Sequence, residues 1–389
     1  MTNSNRATLG LLAWAWRLLY MARRAIILVA FYLLPVTWQR LRLSVRRRSH
    51  VRDLTEGRLR HAGRNWALLV VWQAEDWPWF LDVLLDALAR QGTNVLLVAN
   101  ALPQDAIADH MLDRCAVLLR RDNQGFDFGG FQDGYDYLMN REDPQRVLFA
   151  NDSVVYYPGG LDQLLDKLLP AQAGADVIST FENREYQFHF QSFLFSVSAS
   201  LLRSAAVQRF WQQYLPISNR RWCILRGEIG LSRCLLRAGR SFEVIASGVA
   251  LAQALVSMEP TELLALRGDA TEELRTDWDA LRPLVKQASV QGPSREAAKA
   301  SLIMEVVALC QKRSPPHCAP FLYARLLGIR LLKRDLIWRD RYSLTELEWS
   351  MRRSGLEDRL DEVMAGFRRR GRGSQLRGIQ RARYDIGVI

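Results

Sequence analysis

Between residues 65 and 250 the chain alternates two kinds of apolar pattern. Short unbroken runs, Trp66 to Trp72 (WALLVVW), Val95 to Ala99, Ala116 to Leu119 and Val147 to Ala150, read as strands buried on both faces. Between them the apolar positions recur at helical spacing. Phe80, Leu84, Leu85 and Leu88 follow Asp76 and stop near Gly92; Asp105 to Leu112 reads as a short helix, and Gly129 to Met139 as another. A further apolar strand is expected from Phe193 to Val197. The alternation predicts an α/β fold with a mostly parallel sheet flanked by helices. Neither G-x-G-x-x-G after the first strand nor a Walker sequence is present, so an ordinary dinucleotide or P-loop domain is not expected.

The two ends are patterned differently. Residues 9–43 are rich in Leu, Trp, Ile and Tyr, but their longest uncharged stretch, Ala25 to Gln39, is short of the ~20 residues of a spanning helix and contains Pro35. Arg6, Arg17 and Arg24 fall on one helical stripe. With Trp14, Trp16, Tyr20 and Trp38 they make the mixture of a lipid headgroup boundary. A membrane-associating amphipathic segment over 1–50 is expected, lying on the bilayer; a helix docked on the protein core and a true span are the alternatives. No small-residue cleavage site precedes the Arg46-Arg47-Arg48 run, which argues against a signal peptide. At the other end, Glu259 to Leu266, Thr271 to Gln287, Ser294 to Gln311 and Ser343 to Phe367 carry helical patterns, broken at Pro315-Pro316. The domain reading is therefore a core over 60–255, a helical region over 256–366 and a mobile basic tail over 367–389.

Charge sharpens this picture. The chain of 389 residues is 49% hydrophobic and carries +12, a globular composition. Residues 1–50 hold nine Arg and no acid, and 367–389 hold seven Arg and one acid, which leaves −3 on the body. A nucleic-acid enzyme carries its positive charge on the folded body, so no nucleic-acid partner is expected, and basic ends fit an anionic membrane surface. The five cysteines show no Cys-x-x-Cys spacing and read as buried thiols rather than a disulfide framework or zinc site.

In an open α/β sheet, ligands sit beyond the carboxyl ends of the strands, and polar residues stand there. After the third strand comes Arg121-Asp122-Asn123-Gln124-Gly125-Phe126-Asp127-Phe128-Gly129-Gly130. Its glycines allow close approach of a ligand, Gly129 and Gly130 would offer N–H groups at a helix N-terminus, and Asn123 and Asp127 suit a base or ribose. A tight loop with Asp127 as a helix cap is the plain alternative. After the fourth strand, Asn151-Asp152-Ser153 places one carboxylate where it could hold Mg²⁺ or Mn²⁺ with donor phosphates completing the shell. Phe181-Glu182-Asn183-Arg184 and His189-Phe190-Gln191-Ser192 form a polar, aromatic stretch of the kind that lines sugar sites. In Arg226-Gly227-Glu228, Glu228 would open a helix running to Ala238 and closed by Gly239.

Together, RDNQGFDFGG (121–130), LFANDSVVYYP (148–158), STFENREYQFHFQSFLF (179–195) and GEIGLS (227–232) resemble, in order and spacing, the rhamnan synthesis F family of bacterial polysaccharide glycosyltransferases. The resemblance covers roughly 65–250. It implies a GT-A-like, Rossmann-like fold, a nucleotide-diphosphate sugar donor (rhamnose by the family name), a glycan or lipid-linked acceptor, and lipopolysaccharide or related synthesis at the cytoplasmic face of the inner membrane. By position it places Asn123, Gly125, Asp127, Gly129, Gly130, Asn151, Asp152 and Ser153 at the donor, with Asp152 in the metal role of a D-x-D motif. Glu182, Arg184 and Gln191 fall at the acceptor, and Glu228 and His189 at the reaction, Glu228 as general base. The sequence has Asn-Asp-Ser where many GT-A enzymes have Asp-x-Asp, so a two-carboxylate clamp for the divalent cation is absent. A non-catalytic sugar-binding or scaffold subunit, a phosphotransferase and a basic nucleic-acid-binding protein are the rival readings.

Overall fold

The structure is a computed structural model that describes residues 3–45, 50–102, 105–171 and 174–389. Its strands are β1 (Val51–Glu56), β2 (Asn65–Trp72), β3 (Asn94–Ala101), β4 (Val117–Arg121), β5 (Arg146–Asn151), β6 (Val154–Tyr156), β7 (Val177–Ser179), β8 (Glu182–Asn183), β9 (His189–Phe190), β10 (Leu194–Ser198), β11 (Phe242–Val244) and β12 (Leu331–Lys333). Eight of them form one sheet in the order β1-β4-β3-β2-β5-β10-β7-β11. Strands β4, β3, β2 and β5 run parallel; β10 lies antiparallel between β5 and β7, and β1 is an antiparallel edge. The expected mixed α/β architecture, with a central, mostly parallel sheet flanked by helices, is present.

The unbroken apolar runs are strands because both sheet faces are covered. Along β2, Ala67, Leu69 and Val71 enter one core and Trp66, Leu68 and Val70 the other, the period-2 alternation of a pleated strand. Helices α1 (Asn3–Leu28) and α2 (Leu34–Val45) precede the sheet; α3 (Trp79–Arg90) and α4 (Asp105–Leu112) cross between its first strands, and α5 (Phe126–Arg141) crosses between β4 and β5. The side chains of α3 fill the first core; Phe128, Phe131, Tyr135 and Leu138 of α5 fill the second. Helix α5 lies close on β2 because Gly130 and Gly134 face it: a Cβ at Gly130 would stand 2.6 Å from Val70. Crossing from β4 past β2 to β5 creates a strand-order reversal beyond the carboxyl ends of β2 and β5, the place where an open α/β sheet forms its ligand crevice.

Three expectations are corrected. Pro35 does not end the N-terminal helix. A π-helical turn (Val29–Leu33) precedes it, and the Phe31 carbonyl that Pro35 cannot satisfy lies 3.5 Å from the Asn219 amide. Trp14–Val45 is thus 32 helical residues, by length and composition enough to cross a membrane, where the sequence pointed to a segment too short to span. Its outer part is exposed, with Trp16 at 71%, whereas Val36 and Leu43 pack on Ile217 and Trp222. The Arg46-Arg47-Arg48 run lies outside the described residues.

Second, the helical region expected over 256–366 shares its core with the sheet. Phe321, Leu322, Tyr323 and Leu332 share one core with Ala67 and Leu69 of β2, and β12 pairs antiparallel with β6. Third, the basic end is folded. Arg368 to Arg370 close the helix Leu360–Arg370, and a further helix, Gly378–Asp385, follows. Gly373 N–H donates to Trp338 O at 2.8 Å, Ser374 Oγ to Asp340 at 2.6 Å, and Tyr384 packs edge-on against Trp338.

Candidate functional site

The crevice is built first by a buried guanidinium. Arg121, at the end of β4, donates to Asn100 on β3 (2.6 Å), to Asp133 in α5 (2.6 Å) and to the Gln124 carbonyl (2.8 Å). It therefore holds two strand ends, the following loop and the first turns of α5 as one block. Gly125 turns that loop with φ +76°, and a Cβ there would meet Pro216 at 2.5 Å, so both conformation and space require glycine. Phe126 keeps φ +52° without being glycine, a local strain at the loop-to-helix junction.

The polar residues at the ends of β5 and α5 meet. Asn151 Nδ2 donates to Asp127 Oδ2 at 2.9 Å, and Asn151 Oδ1 accepts from the Ser153 N–H (3.0 Å) and hydroxyl (2.6 Å). Asp152 Oδ2 accepts the Trp72 N–H at 2.8 Å and the Gln73 side-chain amide, so the Asp152 carboxylate pins the end of β2 to the end of β5 across the crevice. Burial, and then the Asp152 charge, push the Asp127 carboxyl from the ordinary 3.8 up to about 7; Lys333 opposes this and Glu228 adds to it. Asp152 is also raised by burial, against the attraction of Arg334 and the two hydrogen bonds from Trp72 and Gln73.

Glu228 stands on the neighbouring wall. It does not open a helix as expected: Arg220–Trp222, a π-helical stretch Cys223–Glu228 and Ile229–Ala238 run on continuously, so Glu228 lies inside a helix rather than at its N-terminus. The expected end at Ala238 and Gly239 is present. Gly227 marks a close approach instead of a helix start, since a Cβ there would lie 2.6 Å from the Phe128 ring. Glu228 Oε1 accepts from the Ser192 N–H and hydroxyl, each at 3.0 Å, and Oε2 lies 4.0 Å from His189 Nε2. The His189 ring is buried, with Nδ1 at 2.8 Å from Gln187 O, which favours a proton on Nδ1 and turns Nε2 toward the carboxylate.

The other expected residues divide. Gly129 and Gly130 are buried packing positions inside α5, and the Gly129 N–H is already given to Gly125 O, so they offer no open phosphate cradle. Asn123 lies in the same loop but joins none of the cluster's hydrogen bonds among the described residues. Glu182 is buried and accepts from Gln311 at 2.6 Å, with Arg184 at 3.4 Å; Gln191 is buried next to Phe190, its N–H given to Phe181 O. The β8–β9 hairpin thus carries His189 to the Glu228 carboxylate and ties Glu182 to the C-terminal helices.

Three contributors escaped the sequence reading, Gln73, Lys333 and Arg334, and Ser192 was named there only as part of the His189–Ser192 stretch. Gln73 directly follows β2, so the strand-end rule that found Asn151 would have found it. Lys333 and Arg334 carry no such signal. They arrive through the β6–β12 pairing, with Lys333 Nζ at 3.1 Å from Ser153 Oγ and Arg334 donating to Asp152 O at 2.8 Å.

A divalent cation at Asp152 would have to compete for Oδ2 with two N–H donors. No group of three His, Cys, Asp or Glu side chains able to hold a metal exists among the described residues. The chain's own donors do not fit a resident metal; a cation there would take most of its shell from phosphate and water.

No family model matches the chain. It is similar, at 25% identity over 185 residues, to the uncharacterised protein y4gN of Sinorhizobium fredii, over 46% of this chain and 48% of that protein; the chain spans about half that relative's length. Among solved structures it is similar to a mannosyltransferase from Pyrobaculum calidifontis in complex with GDP-Man and Mn²⁺. The TM-score is 0.30 and the identity 11%, with 89% of this chain and 96% of that one covered. A likeness at that level carries no argument about function.

Proposed function

We propose that the chain is a glycosyltransferase, related to the rhamnan synthesis F enzymes, which moves a sugar from a nucleotide-diphosphate donor to a glycan or lipid-linked acceptor at a membrane surface. One observation carries the reading: Asp127, Asn151-Asp152-Ser153 and Glu228 converge beyond the carboxyl ends of β2 and β5, where the strand order reverses. Such a crevice suits a nucleotide, and its acids suit hydroxyl-rich sugars. The strand order, with one antiparallel strand inserted after four parallel ones, fits the GT-A-like architecture that the sequence resemblance implies.

In the proposed step an acceptor hydroxyl attacks the anomeric carbon. The new C–O bond forms as the bond to the diphosphate breaks, and the electron pair leaves with the nucleoside diphosphate. Glu228 Oε2 takes the hydroxyl proton, while Ser192 fixes Oε1 and the buried His189 ring stands 4.0 Å from Oε2. Asp127, its carboxyl pushed up by burial and the Asp152 charge, can donate to or accept from a ribose or sugar hydroxyl. A divalent cation, Mg²⁺ or Mn²⁺, would add charge stabilisation to the leaving diphosphate when bound with it. The exposed aromatic face of α1 and its arginines support attachment to an anionic membrane, at the cytoplasmic face where nucleotide sugars are found.

The test is nucleotide release from the full chain with UDP-, GDP- and dTDP-sugars, with and without Mn²⁺ or Mg²⁺, in the presence of anionic vesicles and lipid-linked acceptor. Turnover of one donor, lost in Asp152→Ala, is expected. Absence of both binding and turnover for every donor would favour a scaffold subunit. Retained configuration in the product would rule out the one-step displacement.

A further inference from the structure

The strand β12 and the residue after it place two cations on the crevice. Register sets Lys333 opposite Val154, immediately beyond the Asn151–Ser153 turn. Its ammonium reaches Ser153 Oγ at 3.1 Å and lies 4.2 Å from the centre of the Phe193 ring. Arg334 follows with its N–H on Ser153 O (3.1 Å), one guanidinium N–H on Asp152 O (2.8 Å), and its plane over Phe80 at 5.2 Å. Aromatic rings and backbone thus fix the stems of both.

Neither cation has a carboxylate within ion-pair distance among the described residues. The nearest acid in sequence, Asp335, is engaged elsewhere. Its Oδ1 pairs with His317 at 2.9 Å and its Oδ2 pairs with Arg339 at 2.5 Å. Although burial opposes it, the His317 contact and Lys333 hold the Asp335 carboxyl well below the usual carboxylate range. Burial pushes the Lys333 ammonium down, with Asp335, Glu228 and Asp127 acting on it only through space. Two desolvated cations with no carboxylate in ion-pair contact, Arg334 feeling the Asp152 charge only through space, are costly to keep and make sense where a ligand brings negative charge. Their remaining N–H donors, a compact ammonium beside a planar fork, match adjacent phosphates.

We propose that Lys333 and Arg334 are the diphosphate-binding pair of the crevice, so that the C-terminal region supplies the cationic half of the site. The proposal rests on the glycosyltransferase reading. Two sources offer this chemistry, the nucleotide donor and a lipid-linked diphosphate acceptor.

The experiment is calorimetric titration of the full chain in detergent with UDP, GDP, dTDP, inorganic pyrophosphate and farnesyl diphosphate, in chelator and again in Mn²⁺. The variants are Lys333→Met and Arg334→Met, which keep the apolar stems, with Lys333→Arg as the conservative partner and Lys312→Ala, an exposed lysine paired with Asp277, as control. Each Met variant should weaken binding of the preferred diphosphate about 30-fold or more; Lys333→Arg should recover part of the loss, and all should melt like wild type. Selective loss of nucleoside diphosphates assigns the pair to the donor, and selective loss of farnesyl diphosphate assigns it to the acceptor. Met variants that bind within twofold of wild type overturn the inference and leave the glycosyltransferase reading standing. A wild-type chain that binds no diphosphate in either buffer brings down both.

Discussion

The two walls of the crevice differ in origin and in chemistry. One is acidic and comes from the sheet and its crossovers: Asp127, Asp152 and Glu228, held by Asn151, Gln73 and Ser192. The other is basic and comes from a three-residue strand and its neighbour far downstream, Lys333 and Arg334. The acidic wall is fastened by hydrogen bonds to one oxygen of each carboxylate, whereas the basic wall is fastened through stems and backbone with donors to spare. A wall whose groups are engaged within the fold acts by position and proton transfer; one with uncommitted charge acts by binding. Variants on the acidic side should therefore change turnover, and those on the basic side affinity.

The largest effects are expected at Glu228 and Asp152. Glu228→Gln keeps the Ser192 hydrogen bonds but cannot take a proton, so turnover should fall about 10²–10⁴-fold with donor binding nearly unchanged; full activity would remove Glu228 as base. Asp152→Ala should abolish donor turnover and, by leaving the Trp72 N–H and Gln73 amide without their acceptor, lower stability by about 1–3 kcal/mol in denaturant titration. An unchanged unfolding midpoint would mean that β2 and β5 are not joined through this carboxylate.

The third effect is one of pH. The Asp127 carboxyl titrates higher in the fold (about 7) than in the unfolded chain (3.8), so the native state holds the proton more tightly. Stability is then fullest below 3.8 from this group and falls as pH rises toward about 7. Asp127→Asn should remove that decline and raise stability at pH 8 by on the order of 2 kcal/mol; parallel wild-type and variant profiles from pH 5 to 8 would contradict it. The smallest effect concerns the N-terminal helix α2, where Gln39 Oε1 accepts from Gln124 (3.1 Å) and from the Ser218 N–H (3.0 Å). Gln39→Ala should cost about 1 kcal/mol, read as a small drop in melting temperature, while vesicle binding stays at the wild-type level.

The acidic wall was largely legible because it obeys local rules. Strands buried on both faces read as unbroken apolar runs, and the residues after them stand at the carboxyl edge of the sheet; the positions of Asp127 and Asp152 followed from that. The basic wall was not, because Leu331–Lys333 is too short to show a period and exists only through pairing with Val154–Tyr156. Strand β1 escaped for a related reason: an edge strand reading Val-Arg-Asp-Leu-Thr-Glu is mostly exposed. The helix start expected at Glu228 is absent, since Gly227 resembles a helix boundary but serves contact with Phe128. The folded basic end was hidden by composition, which cannot reveal that Trp338 and Asp340 are there to receive it.

The pairing of β12 with β6 also has a consequence in time. Ser153 and Lys333 are 180 residues apart in the chain and touch in the fold. During synthesis, which proceeds from the amino end, every strand of the main sheet emerges well before Leu331 does. A nascent chain can therefore build its sheet on the ribosome and still lack one wall of the crevice. Chains arrested before Leu331 should protect β2 and β5 from proteolysis yet retain no diphosphate, and equal retention by arrested and finished chains would refute this. Nucleotide capture would then mark the completed molecule, and fragments released early would not draw on the cell's activated sugars.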